Sequence, residues 1–166
     1  IEEHVSLFES VKIDVQTVQC DAVALHNCLH FDRLALGTTA PAESQCSTLA
    51  ALDVGVESTN LLVSSREALW FRSLRPAGDD FVSALAQRFR LTRELAHEVL
   101  LNPAKAKPMG EVYQECCQVF ERLKAQVGTC LQESTRTGVP DAARTLFLSG
   151  GAGMTPGLLR YLRYGR

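Results

Sequence analysis

Two glycine-containing stretches of the sequence carry residue types that bind anions and divalent cations. The first is the run LDVGVESTN, residues 52–60, which continues a short apolar segment. A carboxylate at the end of a strand can hold the water shell of Mg²⁺, and glycine lets backbone N–H groups approach a phosphate closely. This makes Asp53 a candidate catalytic residue that holds Mg²⁺ through water. Gly55, Ser58 and Thr59 are candidate phosphate ligands, although an ordinary hairpin turn has the same composition.

The second stretch is LFLSGGAGMTPGLL, residues 146–159, which runs from apolar residues into glycines and then into a Thr-Pro pair. Glycines between a strand and a helix leave backbone N–H groups bare and admit a flat or anionic ligand. Gly150, Gly151 and Gly153 are therefore candidates for a nucleotide-binding turn. The stretch does not match the Walker pattern, because no lysine follows, nor the glycine fingerprint of dinucleotide-binding domains.

The composition is that of a globular domain without a basic surface. The chain has 166 residues, 46% of them hydrophobic, and a formal net charge of -2. This charge disfavours nucleic acid and anionic membranes as direct partners. The six cysteines form no C-x-x-C pair, so we expect reduced thiols and no zinc site. No apolar run reaches the length of about 18 residues that a membrane span requires, and the start of the sequence is acidic where a secretion signal is basic.

The hydrophobic periodicity predicts alternating helices and strands, typical of an α/β layer domain. The last helix is expected to begin at Thr155 and Pro156, which suit its first positions. The predicted elements are a helix at 2–11, a strand at 13–20, a helix from 21, a loop at 33–48, three antiparallel strands within 49–74, helices at 79–90, 92–101 and 111–134, a strand at 144–150 and a last helix.

Two of the predicted helices carry clear apolar faces. In the first, Phe81, Ala84, Leu85 and Phe89 share one face, and Asp79 or Asp80 is expected to cap its start. The longest helix has an apolar stripe formed by Val112, Cys116, Val119, Leu123, Val127 and Cys130. Phe81, Leu85 and Phe89, with Leu95 of the next helix, could bind a partner helix, but packing on the sheet is favoured.

Two pairs of residues could carry other chemistry. His26 and His30 share a helical face and Asp32 follows, but no third ligand appears in helical phase, so a surface pair is favoured over a metal site. Cys116 and Cys117 point about 100° apart on a helix. A core residue with a flanking neighbour is therefore favoured over a redox pair.

Because both glycine stretches follow strands, they can converge at one edge of a sheet and form one site. Together they resemble the actin-like ATPase superfamily, in which DVGVESTN is similar to the second phosphate-binding hairpin and SGGAGMTPGL to the adenosine-binding turn. Within it the sequence resembles most the bacterial PilM family of type IV pilus assembly proteins, which is related to the cell-division protein FtsA. The run VSLFESVKIDVQTVQCDAVAL resembles the strand and helix that lead to the domain junction.

The resemblance implies the second lobe of an actin-like (RNase H-like) fold, an α/β domain whose mixed sheet contains a three-stranded antiparallel meander with flanking helices. Residues 1–32 would be the end of the first lobe and the hinge helix, and 33–48 a linker. Residues 49–166 would be the second lobe, subdomain 2A, with a small helical insertion around 92–110. No second Asp-x-Gly hairpin precedes residue 53, so we expect a piece of a longer protein that does not hydrolyse ATP alone.

The function that the resemblance implies is a cytoplasmic scaffold that binds ATP and Mg²⁺. It would lie at the inner membrane through other proteins, among them the tail of a PilN-type pilus protein, and could self-associate. A weak ATPase activity is expected only of the full-length protein. An FtsA-like division protein and a secretion-system scaffold that does not hydrolyse ATP remain alternatives. Glu57 departs from the family pattern, because it places a negative charge near the phosphates and disfavours tight triphosphate binding.

Overall fold

The computed structural model describes residues 1–35, 48–65, 68–103, 109–139 and 142–165. The chain divides into two compact units, Ile1–Thr39 and Ala40–Arg166. Each unit is described by itself below.

In its described residues, the first unit contains two helices, α1 (Glu2–Ser10) and α2 (Asp21–Ala35). The strand predicted at residues 13–20 does not form: this segment has no strand structure and belongs to no sheet of the described residues. Alternation alone does not make a strand, because a strand needs a neighbour to satisfy its backbone N–H and C=O groups. Helix α2 includes the first three residues of the predicted linker, and 36–47 lie outside the described residues.

His26 and His30 lie on α2 with their ring centroids 4.3 Å apart. The side chain of Asp32 lies outside the described part of the chain. Across the described residues, no three His, Cys, Asp or Glu side chains are grouped so that they could hold a metal ion. Within the same residues, no helix combines the length and the apolar character that crossing a bilayer requires.

The second unit contains four strands and four helices in its described residues. Their order along the chain is β1 (Leu49–Val54), β2 (Thr59–Ser64), β3 (Leu69–Leu74), α3 (Gly78–Phe89), α4 (Arg93–Leu101), α5 (Met109–Arg136), β4 (Leu146–Ser149), a 3₁₀ turn (Gly151–Met154) and α6 (Leu158–Tyr164). The predicted meander, helix pair, long helix, strand and last helix are all present.

The four strands form one mixed sheet in the order β3-β2-β1-β4. The strands β1, β2 and β3 pair antiparallel, whereas β4 pairs parallel with β1. The parallel pair is made possible by the long helical crossover between β3 and β4. The predicted fold class, a mixed sheet with a three-stranded antiparallel meander and flanking helices, is confirmed.

The core lies between one face of the sheet and the helices. Strand residues Leu52 and Leu61 are fully buried there, and α5 packs against β2 and β3. Every residue of the predicted α5 stripe is buried: Val112, Cys116, Val119, Leu123, Val127 and Cys130. The ring of Phe120 links three helices, with centroids 5.4 Å from Phe81 on α3 and 5.5 Å from Tyr161 on α6.

The predicted cap of α3 was wrong. The N-cap is Ala77, and Asp80 lies in the first turn, where its carboxylate accepts a hydrogen bond of 2.8 Å from the Ala77 N–H. The next two helical N–H groups, of Gly78 and Asp79, donate to carbonyl groups of the turn between β1 and β2. Asp80 thus acts from the first turn of the helix rather than as its N-cap, and the two N–H groups that follow are satisfied by tertiary contacts, which a sequence pattern cannot show.

The start of α6 was also predicted wrongly. The helix begins at Leu158, three residues beyond Thr155, because Gly157 has a φ of 91° and serves as the N-cap in a left-handed conformation. The intervening residues form the 3₁₀ turn Gly151–Met154 instead. A left-handed residue cannot continue a right-handed helix, so it fixes the boundary.

Candidate functional site

The two glycine stretches meet at one edge of the sheet. Because β1 and β4 run parallel, their carboxyl ends lie side by side, with Asp53 opposite Ser149. The Ser149 hydroxyl donates a hydrogen bond of 3.0 Å to Oδ1 of Asp53. Two segments separated by most of the second unit's sequence are thus joined at this point, as the sequence predicts.

The turn between β1 and β2, residues 55–58, is called the first turn below. The Gly55 N–H donates to the Ser58 carbonyl at 3.0 Å and closes the hairpin. At its tip, Val56 is 64% exposed and Glu57 is exposed as well. The tip therefore faces solvent rather than the core.

The start of helix α3 is hydrogen-bonded to the first turn. The N–H of Gly78 donates to the Gly55 carbonyl at 2.9 Å, and that of Asp79 to the Val56 carbonyl at 2.8 Å. In a trans peptide the C=O and the following N–H point in opposite directions. The N–H groups of Val56 and Glu57 therefore point away from α3. Within the described part of the chain, neither donates to another backbone group. Successive outward N–H groups of this kind bind anions.

The turn after β4, residues 150–154, is called the second turn. Gly150 has a φ of 86°, and a Cβ there would lie 2.4 Å from the Val54 carbonyl oxygen. The same Cβ would lie 2.7 Å from Oδ1 of Asp53. Only glycine allows β4 to approach the end of β1 this closely. Gly151 is exposed, and a Cβ at this position would meet no heavy atom within 4 Å. Gly153 is buried against Leu148.

The predicted site residues lie in different environments. The structure brings together Asp53, Gly55, Ser58, Gly150 and Gly151, which are half-buried or exposed at the shared edge. Thr59 is different, because it is fully buried and its hydroxyl donates to the Pro76 carbonyl at 2.8 Å. The described contact of this hydroxyl thus fixes the loop before α3, and a contact between Thr59 and phosphate stays a prediction.

Asp53 is the carboxylate at this edge that lies beside the end of β4, and it determines what a cation there would require. Oδ1 of Asp53 accepts from the Ser149 hydroxyl, and within the described residues its other oxygen has no hydrogen-bond or ion-pair partner. Mg²⁺ commonly takes one or two carboxylates and completes its octahedral shell with water and phosphate oxygens. The residues at the edge therefore fit a magnesium ion that is held mainly by a bound phosphate.

An apolar cavity of about 390 Å³ adjoins the second turn, and sequence reasoning missed it. Its lining includes Leu100, Met109, Val112, Tyr113, Pro156 and Gly157. Burial, followed by a hydrogen bond with Cys117, raises the pKa of the Tyr113 phenol. A cavity with this lining suits a flat, uncharged group. The sequence signal was the Pro-Gly pair at 156–157, which follows the glycine run after Met154 and Thr155.

No family model matches the chain, and no curated protein matches it.

Several solved structures are similar to the chain. The PilM-PilN type IV pilus biogenesis complex aligns with a TM-score of 0.60 and 28% identity over 73% of this chain and 34% of that chain. The ethanolamine utilization protein EutJ from Carboxydothermus hydrogenoformans aligns with a TM-score of 0.56 and 15% identity over 72% of this chain and 42% of that chain. A diol dehydratase-reactivating factor in nucleotide-free form aligns with a TM-score of 0.64 and 21% identity. This alignment covers 96% of this chain and 33% of that chain.

These neighbours share the actin-like ATPase fold, and the second unit has its sheet and flanking helices. The chain spans between about a third and two fifths of the length of the proteins it matches. The fold is therefore that of one part of an actin-like protein.

Proposed function

We propose that this chain is the nucleotide-binding lobe of an actin-like scaffold that acts in type IV pilus assembly. The observation that carries the nucleotide part is the parallel pairing of β1 with β4. It places a carboxylate, two outward N–H groups and a glycine turn at one edge of the sheet. This set can contact the phosphate, the cation and the flat base of one ligand.

In the proposed complex, each segment has one task. Asp53 would hold water molecules of a Mg²⁺ ion, which would neutralise phosphate charge. The N–H groups of the first turn, with Ser58, would bind a phosphate of ATP or ADP. Thr59 would bind this phosphate only if its hydroxyl hydrogen were donated to a phosphate oxygen instead of to the Pro76 carbonyl. The second turn, with Gly150, Gly151 and Gly153, would accommodate adenosine.

We propose that the chain binds nucleotide, and we do not propose rapid ATP hydrolysis. Glu57 is exposed at the tip of the first turn, and within the described residues it forms no ion pair. A carboxylate about 4 Å from a phosphate opposes binding by roughly 1 kcal/mol per pair of charges in water. The opposition grows with the number of phosphates, so this turn favours a diphosphate over a triphosphate and disfavours tight ATP binding.

The pilus role is supported by the similarity to the PilM-PilN complex at 28% identity. On this basis the partner would be the cytoplasmic tail of a PilN-type protein, together with other pilus assembly proteins. The scaffold would then be cytoplasmic and reach the inner membrane through them. An FtsA-like division protein is the second candidate, favoured by the shared actin-like fold alone.

Calorimetric titration of the full-length protein with ADP or ATP, each with Mg²⁺, tests the nucleotide part. We expect saturable binding that Asp53→Asn weakens by about tenfold or more, since a lost hydrogen bond or water-mediated contact to a charged group is worth about 1.5–3 kcal/mol. Glu98→Gln, an exposed acid on α4, is the matched control and should leave binding unchanged. An absence of heat with both nucleotides would contradict the proposal.

The partner is tested separately with peptides. Fluorescence anisotropy of a labelled PilN-type cytoplasmic tail should rise with the concentration of the full-length protein. Sedimentation with vesicles of anionic lipid tests the alternative, because an FtsA-like protein would bind them directly. Vesicle binding without tail binding would favour the division protein.

A further inference from the structure

The first residues of α3 join the two turns of the candidate site. An added Cβ at Gly78 would lie 3.0 Å from the Gly55 carbonyl oxygen and 3.2 Å from Cα of Val56. It would also lie 3.0 Å from Cβ of Ala152 in the second turn. Gly78 thus lies in a three-way junction with backbone on one side and a side chain on the other. A Cβ at this position is accommodated only if one of the two turns shifts by a few tenths of an ångström.

The bonds across this junction have a definite direction. The first two N–H groups of α3 donate to two successive carbonyl groups of the first turn. A hydrogen bond to a carbonyl polarises the N–H of the same peptide unit, and the positive end of the helix dipole adds to this effect. Helix α3 therefore has two effects on the N–H groups of Val56 and Glu57. It holds them pointing away from the helix, and it makes them stronger hydrogen-bond donors.

The helix start is itself held in place by charged groups. The Asp79 carboxylate forms an ion pair of 2.7 Å with Arg93 at the start of α4. The Asp80 carboxylate accepts from the Ala77 N–H, which fixes the residue that enters the helix. Both acidic side chains are thus engaged within the helix pair and leave the helical N–H groups free to donate to the first turn.

We infer that Gly78 is a positioning residue for phosphate binding: it lets α3 pack against the first turn closely enough to hold the N–H groups of Val56 and Glu57 outward. This rests on the proposed function, and it assigns a role to a residue that does not touch the ligand. A substitution at Gly78 should therefore weaken nucleotide binding by reorienting two N–H groups. It leaves Asp53 and the residues of the second turn unaltered.

The test compares Gly78→Ala with Gly128→Ala in the full-length protein. Gly128 lies in α5, and a Cβ there meets no heavy atom within 4 Å. We expect Gly78→Ala to raise the dissociation constant for ADP with Mg²⁺ by about 10- to 100-fold, the equivalent of one or two hydrogen bonds to a charged group. Gly128→Ala should leave it unchanged. A double variant, Gly78→Ala with Ala152→Gly, removes one of the three close contacts and should recover part of the affinity.

A second readout needs no nucleotide. In ¹⁵N-labelled protein, Gly78→Ala should shift the amide resonances of Val56 and Glu57, and Gly128→Ala should not. Unchanged shifts together with unchanged ADP affinity in a folded Gly78→Ala protein would overturn the inference. If the wild type binds no ADP but the amide shifts move as expected, the proposed function fails while the packing of α3 on the turn stands.

Discussion

Replacing Gly150 by alanine is the most severe small perturbation that the described site offers. The residue has φ 86° and ψ 154°, a region that only glycine occupies without strain. The new methyl group would lie 2.4 Å from the Val54 carbonyl oxygen and 2.7 Å from Oδ1 of Asp53. The substitution therefore pushes β4 away from the end of β1, at the point where Ser149 donates to Asp53.

The size of the effect follows from two terms. Holding alanine in this conformation costs about 1–3 kcal/mol, and forcing a methyl group into a packed site costs about 1–3 kcal/mol more. The sum, about 2–6 kcal/mol, is a large share of the 5–15 kcal/mol that typically separates folded from unfolded domains. We therefore expect a strongly destabilised protein that also binds nucleotide more weakly.

Urea denaturation followed by circular dichroism measures the unfolding free energy, and Gly151→Ala is the matched control. Gly151 is the next residue along the same turn, but a Cβ there meets no heavy atom within 4 Å. Its replacement should change the unfolding free energy by less than about 0.5 kcal/mol. If Gly150→Ala were as stable as Gly151→Ala, the close approach of β4 to β1 would be wrong.

Three further changes test the surrounding structure. Thr59→Val should lower the unfolding free energy by about 1–2 kcal/mol in urea denaturation, because the buried Pro76 carbonyl loses its donor. Burial raises the pKa of Cys116 to about 12, so the folded state holds this proton more tightly than the unfolded chain. Stability should thus be full below the ordinary thiol pKa and fall above it by up to about 1.4 kcal/mol per pH unit. In denaturation at increasing pH, Cys116→Ala should make this fall smaller and leave the part due to Cys130, whose pKa burial also raises. Gly128→Ala should raise the thermal midpoint, since alanine at an exposed helix position is favoured by about 1 kcal/mol, and a lower midpoint would show an unseen contact.

The elements that the sequence predicted well are those defined by many residues at once. The α5 stripe from Val112 to Cys130 repeats over several helical turns, and all of it is buried. The three strands of the meander are apolar runs separated by turn residues, and they pair as expected. The convergence of the two turns followed from placing each after a strand, and it requires that β1 and β4 be neighbours that run parallel.

The errors concern boundaries and partners that depend on tertiary contacts. Helix α3 is capped by carbonyl groups of the first turn, so its start at Gly78 could not be read from Asp79 or Asp80. The buried bond from Thr59 to Pro76 depends on how the loop before α3 returns to the sheet. The segment 13–20 alternates like a strand, but pairing requires a neighbour that its own sequence does not specify.

A structure of the full-length protein crystallised with ADP and Mg²⁺ tests the central claim most directly. We predict phosphate oxygens within hydrogen-bonding distance of the N–H groups of residues 56 and 57. The cation should lie next to the Asp53 carboxylate, with water between them, and adenosine should lie against Gly150 and Gly151. Electron density for the nucleotide elsewhere on the protein, with the two turns unoccupied, would contradict it.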